Sequence, residues 1–372
     1  MMSRWKQLWR IVPLLAMLSL LLSGCGQENL SALQPKGPVA EKQLTLITIS
    51  ISVMIFVLIV VFVLYAYVLV KYRRKKGQTE YPKQVEGNHK LEIIWTVIPF
   101  FLLLIIAVPT VKYTFELDKD YSKDPNALQV RVSAHQFWWE FEYLDQKVKT
   151  AQDLVIPTGR VVSFHLETAD VIHSFWVPAL GGKKDTNPGM TNYLFLKANE
   201  PGVYLGKCAE LCGQSHALMD FKVRAVPQEE FDRWITAMQT PTKEPATELA
   251  KQGETIFKQS CISCHAIYAT DDKGERRVLG GGAGPNLVNF GNRETVAGIL
   301  YNSDEIGGPI DPEKQKKNVR DWLKDPQKIK PGNMMPNLQK VEGSQMEYVV
   351  EGGPLSDQQI DALVEFLVGQ KQ

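Results

Sequence analysis

Residues 208–219, Cys-Ala-Glu-Leu-Cys-Gly-Gln-Ser-His-Ala-Leu-Met, crowd metal-seeking side chains into one short stretch. Three residues separate Cys208 from Cys212, three more lead to His216, and Met219 follows after two. Another histidine, His173, stands 35 positions upstream of Cys208, in Asp170-Val-Ile-His-Ser-Phe-Trp176. Thiolate, imidazole and thioether are soft or borderline donors that suit copper. One copper ion needs one thiolate, whereas two thiolates on one loop can bridge a pair of ions that share an unpaired electron. Sharing leaves the geometry nearly unchanged on oxidation, which favours electron transfer over chemistry on a substrate. A disulfide between Cys208 and Cys212, or a zinc ion, would leave the spacing of His173, His216 and Met219 unexplained.

A second redox chemistry is written in Cys261-Ile-Ser-Cys264-His265, the spacing of covalent c-type haem attachment. Two thioethers would fix the porphyrin and His265 would supply an axial ligand. A lone motif of this kind also suits a redox or zinc pair, so its surroundings must decide. The opposite axial ligand is expected to be a methionine, because His/Met ligation raises the haem potential. Lys330-Pro-Gly-Asn-Met-Met-Pro336 offers Met334 and Met335. Trp322 either packs beside the haem or belongs to the ordinary core.

Both chemistries need elements that hold them at a membrane. Residues 44–70 carry no charge across 27 positions, more than the roughly 20 needed to span the hydrocarbon core. A second apolar run covers 93–111 and contains Pro99 and Pro109, which membrane helices tolerate. Lys71, Arg73, Arg74, Lys75, Lys76, Lys83 and Lys90 crowd the loop between them and fix it on the cytoplasmic side. A transmembrane hairpin is therefore expected over 42–118, with everything beyond residue 115 outside. His89 reads as an interfacial residue on the loop. At the N-terminus, Arg4, Lys6 and Arg10 precede an apolar run over 11–22, the pattern of a signal peptide ending at residue 24. Leu22-Ser-Gly-Cys25 is similar to a bacterial lipoprotein cleavage box, in which Cys25 becomes lipidated; one acyl signal is weak alone, but the helices add to it.

Residues 125–227 alternate apolar and polar in short runs such as Leu128-Gln-Val-Arg-Val132, punctuated by glycine and proline. The pattern predicts an all-β sandwich or barrel, in which His135 and His165 have structural roles. Residues 228–247 connect two domains, with an amphipathic helix over 228–239 and a linker, Thr240-Pro-Thr-Lys-Glu-Pro-Ala-Thr247. A helical, glycine-rich domain follows over 248–372. Its last helix is capped by Ser356 and Gln359, with Ile360, Leu363, Val364 and Leu367 on one face. Length alone, at roughly 150 residues per domain, gives two or three domains. A net charge of +1 and no long basic tract leave no basis for nucleic-acid binding. Five cysteines in 372 residues do not make a disulfide-stapled secreted domain.

The copper loop, with three further segments, resembles the cytochrome c oxidase subunit II family over residues 42–227. Leu91-Glu-Ile-Ile-Trp-Thr-Val-Ile-Pro99 is similar to the start of that family's second membrane helix. His135-Gln-Phe-Trp-Trp-Glu-Phe-Glu-Tyr143 is similar to its aromatic segment, and Gly182-Lys-Lys-Asp-Thr-Asn-Pro-Gly189 to the loop after the first histidine. Gly253, Phe257 and Gly284-Pro-Asn-Leu287 resemble a class I cytochrome c, in which the Pro285 carbonyl would orient His265. The ligand methionine in that pattern stands directly before proline, which selects Met335.

The resemblance implies a multidomain chain of the caa type: a two-helix transmembrane hairpin, an all-β cupredoxin-like CuA domain and an all-α class I cytochrome c domain. His173, Cys208, Cys212, His216 and Met219 would bind the binuclear copper through side chains. Glu210 would add its backbone carbonyl, its carboxylate facing a magnesium or manganese ion shared with subunit I. Glu92 falls where the family has an acid at the mouth of a proton pathway; read alone, it is equally a helix-start carboxylate. One departure stands out: Phe137 occupies the place of a tryptophan that usually receives the electron, which argues against docking of a free soluble cytochrome c there. The implied route runs from an external donor (cytochrome c or a quinol:cytochrome c reductase) to haem c, then CuA, then haem a of subunit I. Oxygen reduction there is coupled to proton translocation, in a bacterial plasma membrane and among other oxidase subunits. The chain has no counterpart of the subunit I histidines and so holds no catalytic centre. Two rivals remain, the small subunit of a CuA-containing nitric oxide reductase and a copper-delivering lipoprotein. Quinol oxidase subunit II lacks the CuA ligands and fails on Cys208 and Cys212.

Overall fold

The computed structural model describes residues 26–81, 84, 86–338 and 354–371, together with Val12, Pro13, Leu15, Met17 and Ser19. The cleavage site after residue 24 and Cys25 lie outside the described residues. Helix α1 (Pro38–Lys71) begins on a proline, whose missing N–H costs nothing in the first turn. Helix α2 (His89–Leu117) is capped by the Asn88 side chain, which accepts from the amides of Lys90 and Leu91. The apolar stretches of both helices are left unburied by the rest of the chain, so lipid or other subunits must cover them.

The foot of α1 is bolted to the domain above it. The Lys36 amide donates to Ala179, the Ala40 amide to Leu180, and the Asn199 amide to Lys36. A side chain on Gly37 would lie 2.2 Å from the Lys197 carbonyl oxygen, so only glycine permits this approach. Lys42 pairs with Glu116 across the two helices at 2.5 Å. The helix ends at Pro38 and Leu117 thus lie on the β-domain side, and the basic loop lies at the other end.

Ten strands build the next domain: β1 (Leu128–His135), β2 (Trp138–Tyr143), β3 (Val148–Ala151), β4 (Asp153–Pro157), β5 (Val162–Thr168), β6 (His173–Trp176), β7 (Lys184–Thr186), β8 (Asn192–Leu196), β9 (Gly202–Cys208) and β10 (Asp220–Val226). They form two five-stranded sheets, in the orders β3-β2-β1-β5-β8 and β4-β10-β9-β6-β7. Burial alternates residue by residue along β1 and β2, as a sheet with one face inward requires. Trp139, Phe141, Phe164, Phe175 and Phe221 fill the core, with Phe175 and Phe221 stacked at 4.7 Å between ring centres. Helix α3 (Gln228–Gln239) buries Phe231, Ile235 and Met238. The first part of the 228–247 connection is therefore a packed helix, and only the rest is an extended link.

Beyond the link come α4 (Glu248–Ser260), the hairpin β11 (Ile267–Thr270) and β12 (Arg276–Leu279), the hairpin β13 (Thr295–Val296) and β14 (Leu300–Tyr301), then α5 (Pro312–Lys324), α6 (Pro326–Ile329) and α7 (Asp357–Val368). The helical frame is present as expected, with two short hairpins inserted in it. Ser356 and Gln359 form the reciprocal cap of α7. Helices α4 and α7 cross so closely that a side chain on Gly253 would meet the Ala362 carbonyl oxygen at 2.0 Å. Phe257 and Phe366 meet beside the crossing, 5.6 Å apart.

Candidate metal and haem centres

Strand β6 begins at His173 and β9 ends at Cys208, and the ladder between the two strands brings Phe175 opposite Cys208. The chain then turns through the loop 209–215, so that Cys212, His216 and Met219 return to the same sheet end. His173 Nδ1 lies 3.9 Å from Cys208 Sγ, and His216 Nδ1 lies 3.7 Å from Cys212 Sγ. The two sulfurs are 3.8 Å apart, Met219 Sδ is 3.7 Å from Cys212 Sγ, and the Glu210 carbonyl oxygen is 3.2 Å from Cys208 Sγ. Donors that share an ion at about 2.0–2.3 Å lie about 3.5–4 Å from each other. A disulfide would instead bring the sulfurs to about 2.05 Å, and both cysteines are free. The spacing fits a metal cluster.

The surroundings prepare the donors. The hydrogen bond between the sulfurs, above all, pushes Cys208 far below the usual thiol range and Cys212 up in return; a thiolate is the form a metal takes. His173 is fully buried, and burial lowers its pKa, but Cys208 and Asp170 outweigh that and raise it. Asp170 Oδ1 sits 2.7 Å from His173 Nε2, so the ring donates there and leaves Nδ1 free to face the cluster. Asp170 stands three residues before His173, but a loop carboxylate is common enough that only the fold gives it this role. Asp170→Ala is expected to weaken copper binding about 10–100-fold, measured by chelator competition, with the haem spectrum unchanged.

The other residues that the sequence singles out have the following surroundings. The Glu210 side chain is exposed while its carbonyl faces the sulfurs. Trp139 is fully buried between His173, Phe175 and Phe221, a packing role. Trp138 stacks on His135 at 4.1 Å, and His165 hydrogen-bonds Gln129. Glu92 lies in the first turn of α2, 3.6 Å from His89.

In the C-terminal domain, Cys261 ends α4 and a tight turn carries the chain through Cys264 to His265, whose amide donates to Cys261 at 2.9 Å. His265 Nδ1 donates to the Pro285 carbonyl at 2.8 Å, which aims Nε2 outward. Burial pushes the pKa of His265 down, favouring the neutral ring that ligates iron. A Cβ on Gly284 would come within 2.8 Å of the ring, so glycine leaves it room. Cys261, Ile262, Leu287, Trp322 and Met335 border one apolar cluster, a lining that suits a porphyrin. Met334 is 83% exposed, whereas Met335 is half-buried with its sulfur 3.2 Å from Trp322 Nε1. Trp322, left open between haem neighbour and core, thus touches the candidate ligand itself.

The comparisons with known proteins cover all three parts of the chain. Residues 29–113 match the family of the cytochrome c oxidase subunit II transmembrane domain, residues 146–226 that of its periplasmic domain, and residues 250–371 that of cytochrome c. Cytochrome c oxidase subunit 2 of Bacillus sp. (strain PS3) is 48% identical over 376 residues, covering 98% of each chain. The chain belongs to the cytochrome c oxidase subunit II family. Cytochrome c oxidase subunit 2 of Bacillus subtilis (strain 168) is 45% identical, again over 98% of each chain. Quinol oxidase subunit 2 of the same organism is 39% identical but covers only 70% of this chain and 84% of its own. This subunit II is a membrane-anchored electron-transfer component of a haem–copper terminal oxidase, with a copper-binding cupredoxin-like domain and a haem c domain. Those matches favour the oxidase over the nitric oxide reductase reading.

Proposed function

We propose that this subunit II holds a copper pair through His173, Cys208, Cys212, His216, Met219 and the Glu210 carbonyl, and a covalent haem through Cys261, Cys264, His265 and Met335. When bound, the two centres supply reversible one-electron carriers between an external donor and haem a of subunit I. The observation that carries this reading is the convergence of both Nδ1 atoms on the two sulfurs, at 3.9 and 3.7 Å.

The chain's own charge distribution supports a sidedness. Seven Lys/Arg between the two apolar runs support a cytoplasmic loop, and with it both redox domains on the outer face of a bacterial plasma membrane. Cys25, if lipidated, would add a second anchor there. The exposed Glu210 carboxylate would be free to meet a magnesium or manganese ion shared with subunit I. Glu92, in the first turn of α2 at the cytoplasmic end, is the candidate acid at a proton pathway's mouth. Pro285 and Asp170 act as orienting partners of His265 and His173.

Visible and EPR spectra of the purified membrane complex test the reading directly. Haem c, haem a and mixed-valence copper are expected together, with turnover of oxygen rather than nitric oxide. A complex without the copper signal overturns it.

A further inference from the structure

The copper and haem domains meet along a seam that the shared electron-transfer role does not by itself require. The turn between β13 and β14 has Ala297 and Gly298 both at positive φ, 54° and 81°, which turns their carbonyls outward toward the copper domain. Lys222, on β10 and 1% exposed, donates to the Gly298 carbonyl and reaches Thr295 Oγ1 at 3.5 Å. Its ammonium also lies 4.5 Å from the centre of the Tyr301 ring. Lys330, on the methionine loop and 2% exposed, donates from the other side: to the Phe137 carbonyl at 2.8 Å and to the Ala297 carbonyl at 2.8 Å. Buried ammonium groups persist only where acceptors meet them, and each of these finds acceptors in the opposite domain.

Next to Lys330, the Ser215 hydroxyl donates to the Pro331 carbonyl at 2.6 Å. Ser215 precedes His216, and Pro331 opens the loop that ends in Met335. Backbone approaches are too close for a chance collision, since a side chain on Gly298 would meet the Asp220 carbonyl oxygen at 2.7 Å. The link between the domains is tied down too: Thr242 donates to Gln370 Oε1 at 2.9 Å.

We propose that Lys222 and Lys330 form a latch that fixes the haem domain on the copper domain, setting the methionine loop against the copper loop in one rigid body. The proposal rests on the electron-transfer reading above. The step would move one electron between the two centres with no proton or bond exchanged, so at a given driving force and reorganisation energy the distance and orientation fixed by the latch would govern its rate. Burial pushes Lys330 down to about 7, but a neutral amine still donates two hydrogens, so both carbonyl contacts survive loss of the charge. The latch contacts are ammonium-to-carbonyl rather than exposed ion pairs, so salt has little to screen. Lys222 and Lys330 are positioning residues, since their hydrogen bonds go to backbone carbonyls and Thr295 rather than to the proposed copper or haem ligands.

The test uses the whole oxidase complex and the variant Lys330→Met, read by photoreduction of haem c and by hydrogen exchange. In the unaltered complex, haem-to-copper transfer is expected to keep the same rate from low to high salt. In K330M that rate falls about ten-fold or more, as loss of alignment demands, and amide exchange at 297–298 and 213–215 quickens about ten-fold. Haem and copper spectra stay unchanged. Unaltered exchange and rate in K330M overturn the latch. If K330M disturbs the haem spectrum, Lys222→Met on the copper side decides by the same two measurements. Absence of any haem-to-copper transfer in the unaltered complex would instead remove the underlying electron route.

Discussion

Cys212→Ser is expected to lower copper affinity by more than about 100-fold, since losing an outer partner alone costs about 10–100-fold. Cys212 Sγ stands at the middle of the cluster, 3.8 Å from Cys208 Sγ and 3.7 Å from both His216 Nδ1 and Met219 Sδ. A serine hydroxyl is a hard donor that stays protonated at neutral pH, so it cannot bridge two soft ions. Copper per complex should fall by one or two ions by atomic absorption, and oxygen turnover should fall with it. Haem c should keep its spectrum, because its attachment residues lie in another domain. Retention of both copper ions by the variant would remove Cys212 from the centre and, with it, the bridged pair.

Met335→Leu is the second substitution with a large expected effect. Leucine and methionine have similar volumes and exchange at modest cost in a packed site, so the change isolates the sulfur. The loop keeps its shape: the Met335 amide donates to Asn333 Oδ1 at 2.8 Å, and Gln327 Nε2 donates to the Met335 carbonyl at 3.1 Å. What disappears is the thioether and its contact with Trp322. The low-spin His/Met signature should vanish and the haem potential should drop, because thioether ligation is what raises it. A drop of about 59 mV already shifts a one-electron equilibrium ten-fold, so turnover with the native donor should fall by at least that factor. Redox titration of the haem c band measures the shift. Met334→Leu is the control, and its exposed side chain predicts no change; a shift there, with none in M335L, reverses the assignment.

Much of this was written in short strings of residues. The donors of the copper loop are crowded into 208–219, and a loop of that length can bring its own side chains together with little help. The haem motif is likewise local, since CxxCH needs only a helical turn to present two sulfurs and an imidazole to one plate. The membrane hairpin follows from two long uncharged runs and seven cations between them, which is composition rather than folding. The proline that follows Met335 selects it by resemblance, but its surroundings are not legible there: a one-residue step in the loop turns Met334 to solvent and Met335 to Trp322.

Other features could not have been read along the chain. Asp170 is a common surface residue until the start of β6 folds its carboxylate onto His173 Nε2. Lys222 and Lys330 look like ordinary surface cations in sequence, since nothing local shows that each will be buried against carbonyls of another domain. Residue type and spacing, read with the family resemblance, therefore pointed to copper and haem c. Only the tertiary structure decided how those groups are oriented, and how the two domains meet. Donor chemistry is a property of single side chains, whereas burial and docking depend on partners far along the chain, 76 residues away for Lys222 and 193 for Lys330.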